Sequence, residues 1–173
     1  SLIPTNPGVN APMGLYSVIR SNTRGYVPPA VDVQNINVLK VKAFKTGCLA
    51  SEEVSRTYLL ANGSTHFPTT PIISIQVDSV DLFSNATGIY VYGDHPEGNY
   101  TQKEELWERP MHIDYIENGT LTFNQNTRTR LHGGGSRHSA KKNFRIYAET
   151  DEHSNFNLPF FDDYELDKFK RII

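Results

Sequence analysis

The sequence predicts a mainly β protein, α+β overall. Three observations carry this: short stretches in which apolar and polar residues alternate, breaks rich in Gly, Pro and Asn between them, and an Asn-Gly pair set between two alternating stretches. Residues 1–30 hold Pro4, Pro7, Pro12, Pro28 and Pro29, which suits loops and edge strands rather than helix. From Val38 to Phe44, Val38, Lys40, Lys42 and Phe44 alternate with Leu39, Val41 and Ala43, and Gly47 breaks the run. Residues 51–60 alternate again, with Val54, Arg56 and Tyr58 on one face and Ser55, Thr57 and Leu59 on the other, so the two runs predict a hairpin.

Residues 61–70 (ANGSTHFPTT) are polar breakers and mark a linker, with a domain boundary expected near residue 65. Pro71 then opens PIISIQV, an apolar run expected as a buried strand, and Asp78 is placed to cap one helical turn after it. GIYVYG, residues 88–93, reads as a further short strand. Residues 94–106 are polar and expected to be an exposed loop, closed by Trp107 as a core anchor. Arg109 to Glu117 alternates, Asn118-Gly119 tolerates the positive φ angles of a tight turn, and Phe123 to Leu131 returns as a strand. Gly133, Gly134 and Gly135 interrupt the chain before Asn143 to Glu149, which puts Phe144, Ile146 and Ala148 on one face. LDKFKRII, residues 166–173, reads as a last strand.

The 173 residues suffice for one or two compact units, and 38% hydrophobic content with nine Tyr and nine Phe argues for a folded chain. A net charge of −2 offers no general attraction to nucleic acid or an anionic membrane surface. Between Arg128 and Arg145, however, six basic residues occur with no acidic one, leaving the rest of the chain at −8. Cys48 is the only cysteine, which excludes an internal disulfide and a thiolate metal cluster. No apolar run is long enough to span a bilayer, and Ser1-Leu2-Ile3-Pro4 does not open a signal peptide, so the expectation is a cytosolic chain or one whose leader is missing. The sequons at Asn62, Asn85, Asn99 and Asn118 are expected by chance in a chain rich in Asn and Thr.

The site-like feature is the basic, glycine-broken hairpin RTRLHGGGSRHSAKKNFRIY, Arg128 to Tyr147. On a strand, Arg128, Arg130 and His132 share a face just ahead of the glycines. Gly133, Gly134 and Gly135 permit backbone conformations closed to other residues and present N–H groups as phosphate-cradling loops do. Ser136 adds a hydroxyl, Arg137 a planar fork, and Lys141 and Lys142 flexible point charges, of which only one need face inward. Solvated charges on an ordinary strand connection are the plain alternative. The histidines lack a paired zinc spacing. Asp78, Asp81 and Asp94 suit a hard cation less well than Asp78 suits a helix cap. Nothing selects a glycosidase pair from Glu104, Glu105, Glu108, Asp162 and Asp163.

From about Leu49 onward the chain resembles the CotH kinase family, named for a spore coat protein. PIISIQVDSVDLFSNATGIYVYG is similar to the family's opening strand, WERPMHIDYIENG to its Trp-Glu-Arg strand, and RTRLHGGGSRHSAKKNFRIYAE to its strand, glycine loop, Ser-Arg and Lys-Lys run. Asn143 stands where a serine usually follows the lysines, and Ala140 where proline is common. VLKVKAFKTGCLASEEVSRTYLL is similar to the closing strands of a chitobiase C-terminal-like β-sandwich. The resemblance implies part of an Ig/fibronectin-like sandwich over residues 1–64 and the β-rich N-terminal lobe of an atypical kinase-like domain over 65–173. It also implies a secreted or cell-surface bacterial protein kinase that uses ATP and magnesium and acts on a protein substrate.

Gly133, Gly134, Ser136, Arg137 and Lys142 match the family's loop, arginine and second lysine, with Lys142 the expected phosphate contact; Gly135, Lys141 and Arg130 complete the candidate nucleotide-binding set. The family's catalytic and metal-binding aspartates lie downstream of this stretch, so the chain alone is expected not to transfer phosphate. A reading from a different class is a non-catalytic extracellular module that binds a glycan or protein partner.

Overall fold

The computed structural model describes residues 37–58, 70–139, 142–150, 153–161 and 163–173. They are mainly β, in antiparallel sheets. Strands β1 (Asn37–Val41) and β2 (Val54–Tyr58) form the expected hairpin, with Val41 opposite Val54. The large sheet has the order β3-β4-β5-β6-β9 and contains β3 (Ile72–Gln76), β4 (Arg109–Glu117), β5 (Thr120–His132), β6 (Asn143–Tyr147) and β9 (Arg171–Ile172). Two-residue strands β7 (Phe156–Asn157) and β8 (Lys168–Phe169) pair beside it. The expected last strand is thus two short ones on different partners. The expected boundary near residue 65 lies outside the described residues, as do Asn62 and residues 1–36.

Asn118 (φ 49°) and Gly119 (φ 75°) make the β4–β5 turn, and Glu117 pairs with Thr120. A bulge follows, where the register slips between Tyr115 and Ile116. From there each strand sends alternate side chains to opposite faces. One face carries Met111, Ile113, Ile146 and Ala148, packed under Phe156 with Phe123, Phe160 and Phe169 around them. Towards the glycine break, Leu131 joins Tyr90 and Tyr100 in a second cluster, and Phe144 packs against both.

The opposite face is polar. Asp114 is fully buried there, and its Oδ2 accepts hydrogen bonds from the Thr57 backbone N–H (2.7 Å) and Gln76 Nε2 (3.1 Å). Its Oδ1 lies 3.1 Å from His112 Nε2. Thr57 also meets Ser74 through their hydroxyls at 2.8 Å. These bonds lay β2 against β3 and β4, and they invert the expectation for PIISIQV: Ser74 and Gln76 are buried, whereas Ile73 and Ile75 are exposed.

Four other expectations are corrected. GIYVYG forms no strand; Ile89, Tyr90 and Val91 are buried in irregular chain, with Ile89 N–H bonded to Asp81 O and Tyr90 N–H to Leu82 O, both at 2.9 Å. Residues 94–106 are not a uniformly exposed loop, because Asn99 and Tyr100 are buried in a 3-10 turn, Asn99–Thr101. Asn99 Nδ2 donates to the carbonyls of Asn85 and Gly88 while its Oδ1 accepts from His95 N–H, so this sequon asparagine is an internal staple. Trp107 is half-buried against His95 and Arg109, outside both core clusters. Asp78 does precede the one-turn helix α1 (Ser79–Phe83), but its carboxylate pairs with Lys40 Nζ at 2.8 Å rather than with the helix N–H groups.

Replacing Asp114 by Ala strands the Thr57 N–H, the Gln76 amide and His112 in a buried setting. A loss of about 3 kcal/mol or more is expected in urea unfolding, with a smaller loss for Asp114→Asn.

Candidate functional site: the basic face beside the glycine turn

Strands β5 and β6 pair so that Arg130 faces Arg145, Arg128 faces Tyr147 and His132 faces Asn143. Alternation puts Arg128, Arg130, His132, Arg145 and Tyr147 on the polar face, as expected for the first three. Arg130 lies over the Tyr147 ring, 5.4 Å from its centroid, and Arg145 Nη2 is 2.6 Å from His132 Nδ1. Two guanidinium groups directly opposite each other repel. Arg128 finds Glu105 at 3.5 Å and Glu108 at 3.6 Å, but Arg130, Arg137 and Arg145 form no ion pair with a carboxylate among the described residues.

Between the strands the chain turns through the glycines. Gly133 has φ 120°, and a Cβ there would collide with Ser136 Oγ. Gly134 and Gly135 face open space, and Gly135–His138 forms a single 3-10 turn with Ser136 exposed. This turn carries Arg137 inward, to 6% exposure. Its Nη1 donates to the carbonyls of Thr101 (2.7 Å) and Gln102 (3.0 Å), and its Nε is buried without a partner. Burial, then the charges of Arg130 and Arg145, lowers the Arg137 pKa. Burial, then Arg145, Arg137 and Arg130, likewise lowers that of His132. Arg137 and His132 therefore both feel the charges of Arg130 and Arg145. Arg145 Nε and Tyr147 Oη are also buried without partners. A cavity of about 410 Å³, lined by Gly134, Arg137, His138, Gln102 and Glu104 among others, opens beside the turn.

Lys142 is placed differently. Its Nζ donates to Ser139 O at 2.6 Å and sits 5.3 Å and 4.8 Å from the ring centroids of Tyr90 and Tyr100. Its backbone N–H donates to Tyr90 Oη at 3.0 Å. Only 6% exposed, it is pushed down by burial to a pKa of about 8. The expected phosphate lysine is thus enclosed by aromatic rings on the core side of the turn. Lys141 lies outside the described residues. The structure brings Arg130 and Arg137 together with His132 and adds Arg145 and Tyr147, which the sequence reading did not select. The signal for both was available: they share strand parity within the same basic segment.

The magnesium that the resemblance implies is not matched by a donor set among the described residues, where no three His, Cys, Asp or Glu side chains gather to hold a metal ion.

Gly133→Ala should destabilise by about 1–3 kcal/mol because a residue with a side chain is strained at that φ, whereas Gly135→Ala should change unfolding by less than about 0.5 kcal/mol. Lys142 makes a second test. The folded chain releases its proton near pH 8, the unfolded chain only in the ordinary lysine range, about 10.4. Between these values the unfolded state binds more protons, so the Lys142 contribution to stability should rise with pH across that window and be absent from Lys142→Met. In comparisons with protein-family models, curated proteins and solved structures, nothing matches this chain.

Proposed function

We propose that this chain is the N-terminal part of a secreted CotH-type protein kinase and that its basic sheet face binds the phosphates of ATP. The observation that carries the reading is the facing pair Arg130 and Arg145, joined by Arg137 and His132 without a carboxylate ion pair to either arginine of the pair among the described residues. Such an arrangement opposes folding unless something negative offsets it. The partnerless Arg137 Nε, Arg145 Nε and Tyr147 Oη are donors of the kind a phosphate oxygen satisfies. The ordered blocks of resemblance select phosphate among possible anions.

In this reading the glycine loop and Ser136 shape the approach, and Arg130, Arg145 and Arg137 supply the charge. Lys142 holds the turn against Tyr90 and Tyr100. ATP bound here is held by the arginines and the Tyr147 hydroxyl, with no metal-dependent step assigned to the described residues. The reading assigns phosphate binding, not transfer, to this chain, and a protein substrate to the kinase of which it is part.

Titration with ATP and with pyrophosphate tests it by calorimetry. Saturable binding is expected, weakened about tenfold or more by Arg130→Ala and by Arg145→Ala, since a charge-assisted hydrogen bond contributes about 1.5–3 kcal/mol. Binding that both variants leave unchanged would sink the proposal.

A further inference from the structure

His132 closes the end of the basic face nearest the glycines. Strand β5 ends on it, opposite Asn143 of β6, and its Nδ1 lies 2.6 Å from Arg145 Nη2. A guanidinium carries donors only, so Nδ1 is the acceptor in this contact. The imidazole is therefore neutral, with its proton on Nε2, because a protonated ring would set two donors against each other. Arg145 in turn gives one of its donors to a neutral ring while it faces Arg130 across the strands.

The surroundings hold the ring in that state. Desolvation, then Arg145 on β6, Arg137 on the 3-10 turn and Arg130 on β5 itself, lowers its pKa from the ordinary imidazole value. No carboxylate is among these influences; Arg137, lowered by burial and by Arg130 and Arg145, is the side chain that feels Glu104 and Tyr147. Alongside lie donors buried without partners among the described residues, Arg137 Nε, Arg145 Nε and Tyr147 Oη. An anion seated among them changes both sides of the balance. Its charge offsets the arginines that disfavour a protonated ring, and its oxygens accept from Arg145 in place of Nδ1.

Resting on the phosphate reading of this face, we infer that a bound phosphate draws Arg145 off His132 and is met by a protonated imidazole, so that binding takes up a proton from solvent. The hydrogen bond from Arg145 to Nδ1 breaks, Nδ1 gains the proton, and hydrogen bonds to phosphate oxygens form; no bond to carbon or phosphorus changes. His132 is then a conditional cation. It is neutral in the empty face, where a further charge beside Arg130, Arg137 and Arg145 opposes folding, and charged in the filled one. The sign of the pH dependence follows. A ligand that raises the pKa of a group gains most affinity below the value in the free chain and loses that gain as pH rises through the value in the complex. The His132 contribution to phosphate affinity therefore grows on acidification.

Nuclear magnetic resonance titration of the His132 ring in the whole chain, with and without saturating inorganic pyrophosphate, reads the proton directly. The ring should titrate below the ordinary imidazole value in the free chain and at least about one pH unit higher in the complex. His132→Gln keeps an acceptor for Arg145 and removes the titration. From about pH 7.5 down to about pH 5.5, the pyrophosphate affinity of the unaltered chain relative to His132→Gln should rise about tenfold. Taking the ratio cancels the protonation of the ligand itself. The ring measurement needs no variant and decides the matter if His132→Gln does not fold. Saturable binding that Arg130→Ala weakens, with a ring that titrates alike in both states or a ratio that does not move with pH, overturns this inference and leaves the phosphate reading standing. Absence of saturable binding overturns both.

Discussion

The buried Asp114 carboxylate is the constraint around which the polar half of the molecule is arranged. A charge so enclosed is tolerable only when its oxygens are occupied, and here they face the Thr57 N–H, the Gln76 amide and His112. Those partners come from three different strands, so satisfying one side chain sets β2 against β3 and β4. The hairpin therefore meets the sheet through hydrogen bonds, and among the described residues none of its side chains joins either core cluster.

The two faces of the large sheet follow from that division. Apolar side chains of β4, β5 and β6 are covered by Phe156, Phe160 and Phe169 at one end and by Tyr90 and Tyr100 at the other. The reverse face collects the charged residues of the same strands. Arg137 is carried inward by the 3-10 turn that the glycines permit, and burial, then the charges of Arg130 and Arg145, lowers its pKa. Lys142, two residues beyond Ala140, goes to the aromatic side instead. A single turn thus divides its basic residues between the neighbourhood of Arg130 and Arg145 and an enclosure of aromatic rings.

Alternation along Val38–Phe44, Val54–Tyr58, Arg109–Glu117 and Asn143–Glu149, with Asn118-Gly119 between β4 and β5, was enough to read the mainly β class, both hairpins and the parity of Arg128, Arg130 and His132. This is legible because strand periodicity and turn stereochemistry are local properties. Burial was not local. Ile73 and Ile75 are exposed while Ser74 and Gln76 are enclosed, since a distant carboxylate draws the polar face inward. GIYVYG carries strand-forming residues, yet lies in irregular chain where Asn99 binds the carbonyls of Asn85 and Gly88 around it.

The sequence by itself determined that a run of six basic residues without an acid straddles three glycines, and which of them share a strand face. Only the tertiary structure decided what each cation meets. Strand pairing set Arg145 opposite Arg130, the carbonyls of Thr101 and Gln102 took Arg137 Nη1, and Tyr90 and Tyr100 enclosed Lys142. The physical reason is that charge and periodicity are written along the chain, whereas desolvation and hydrogen-bond partners come from segments tens of residues away.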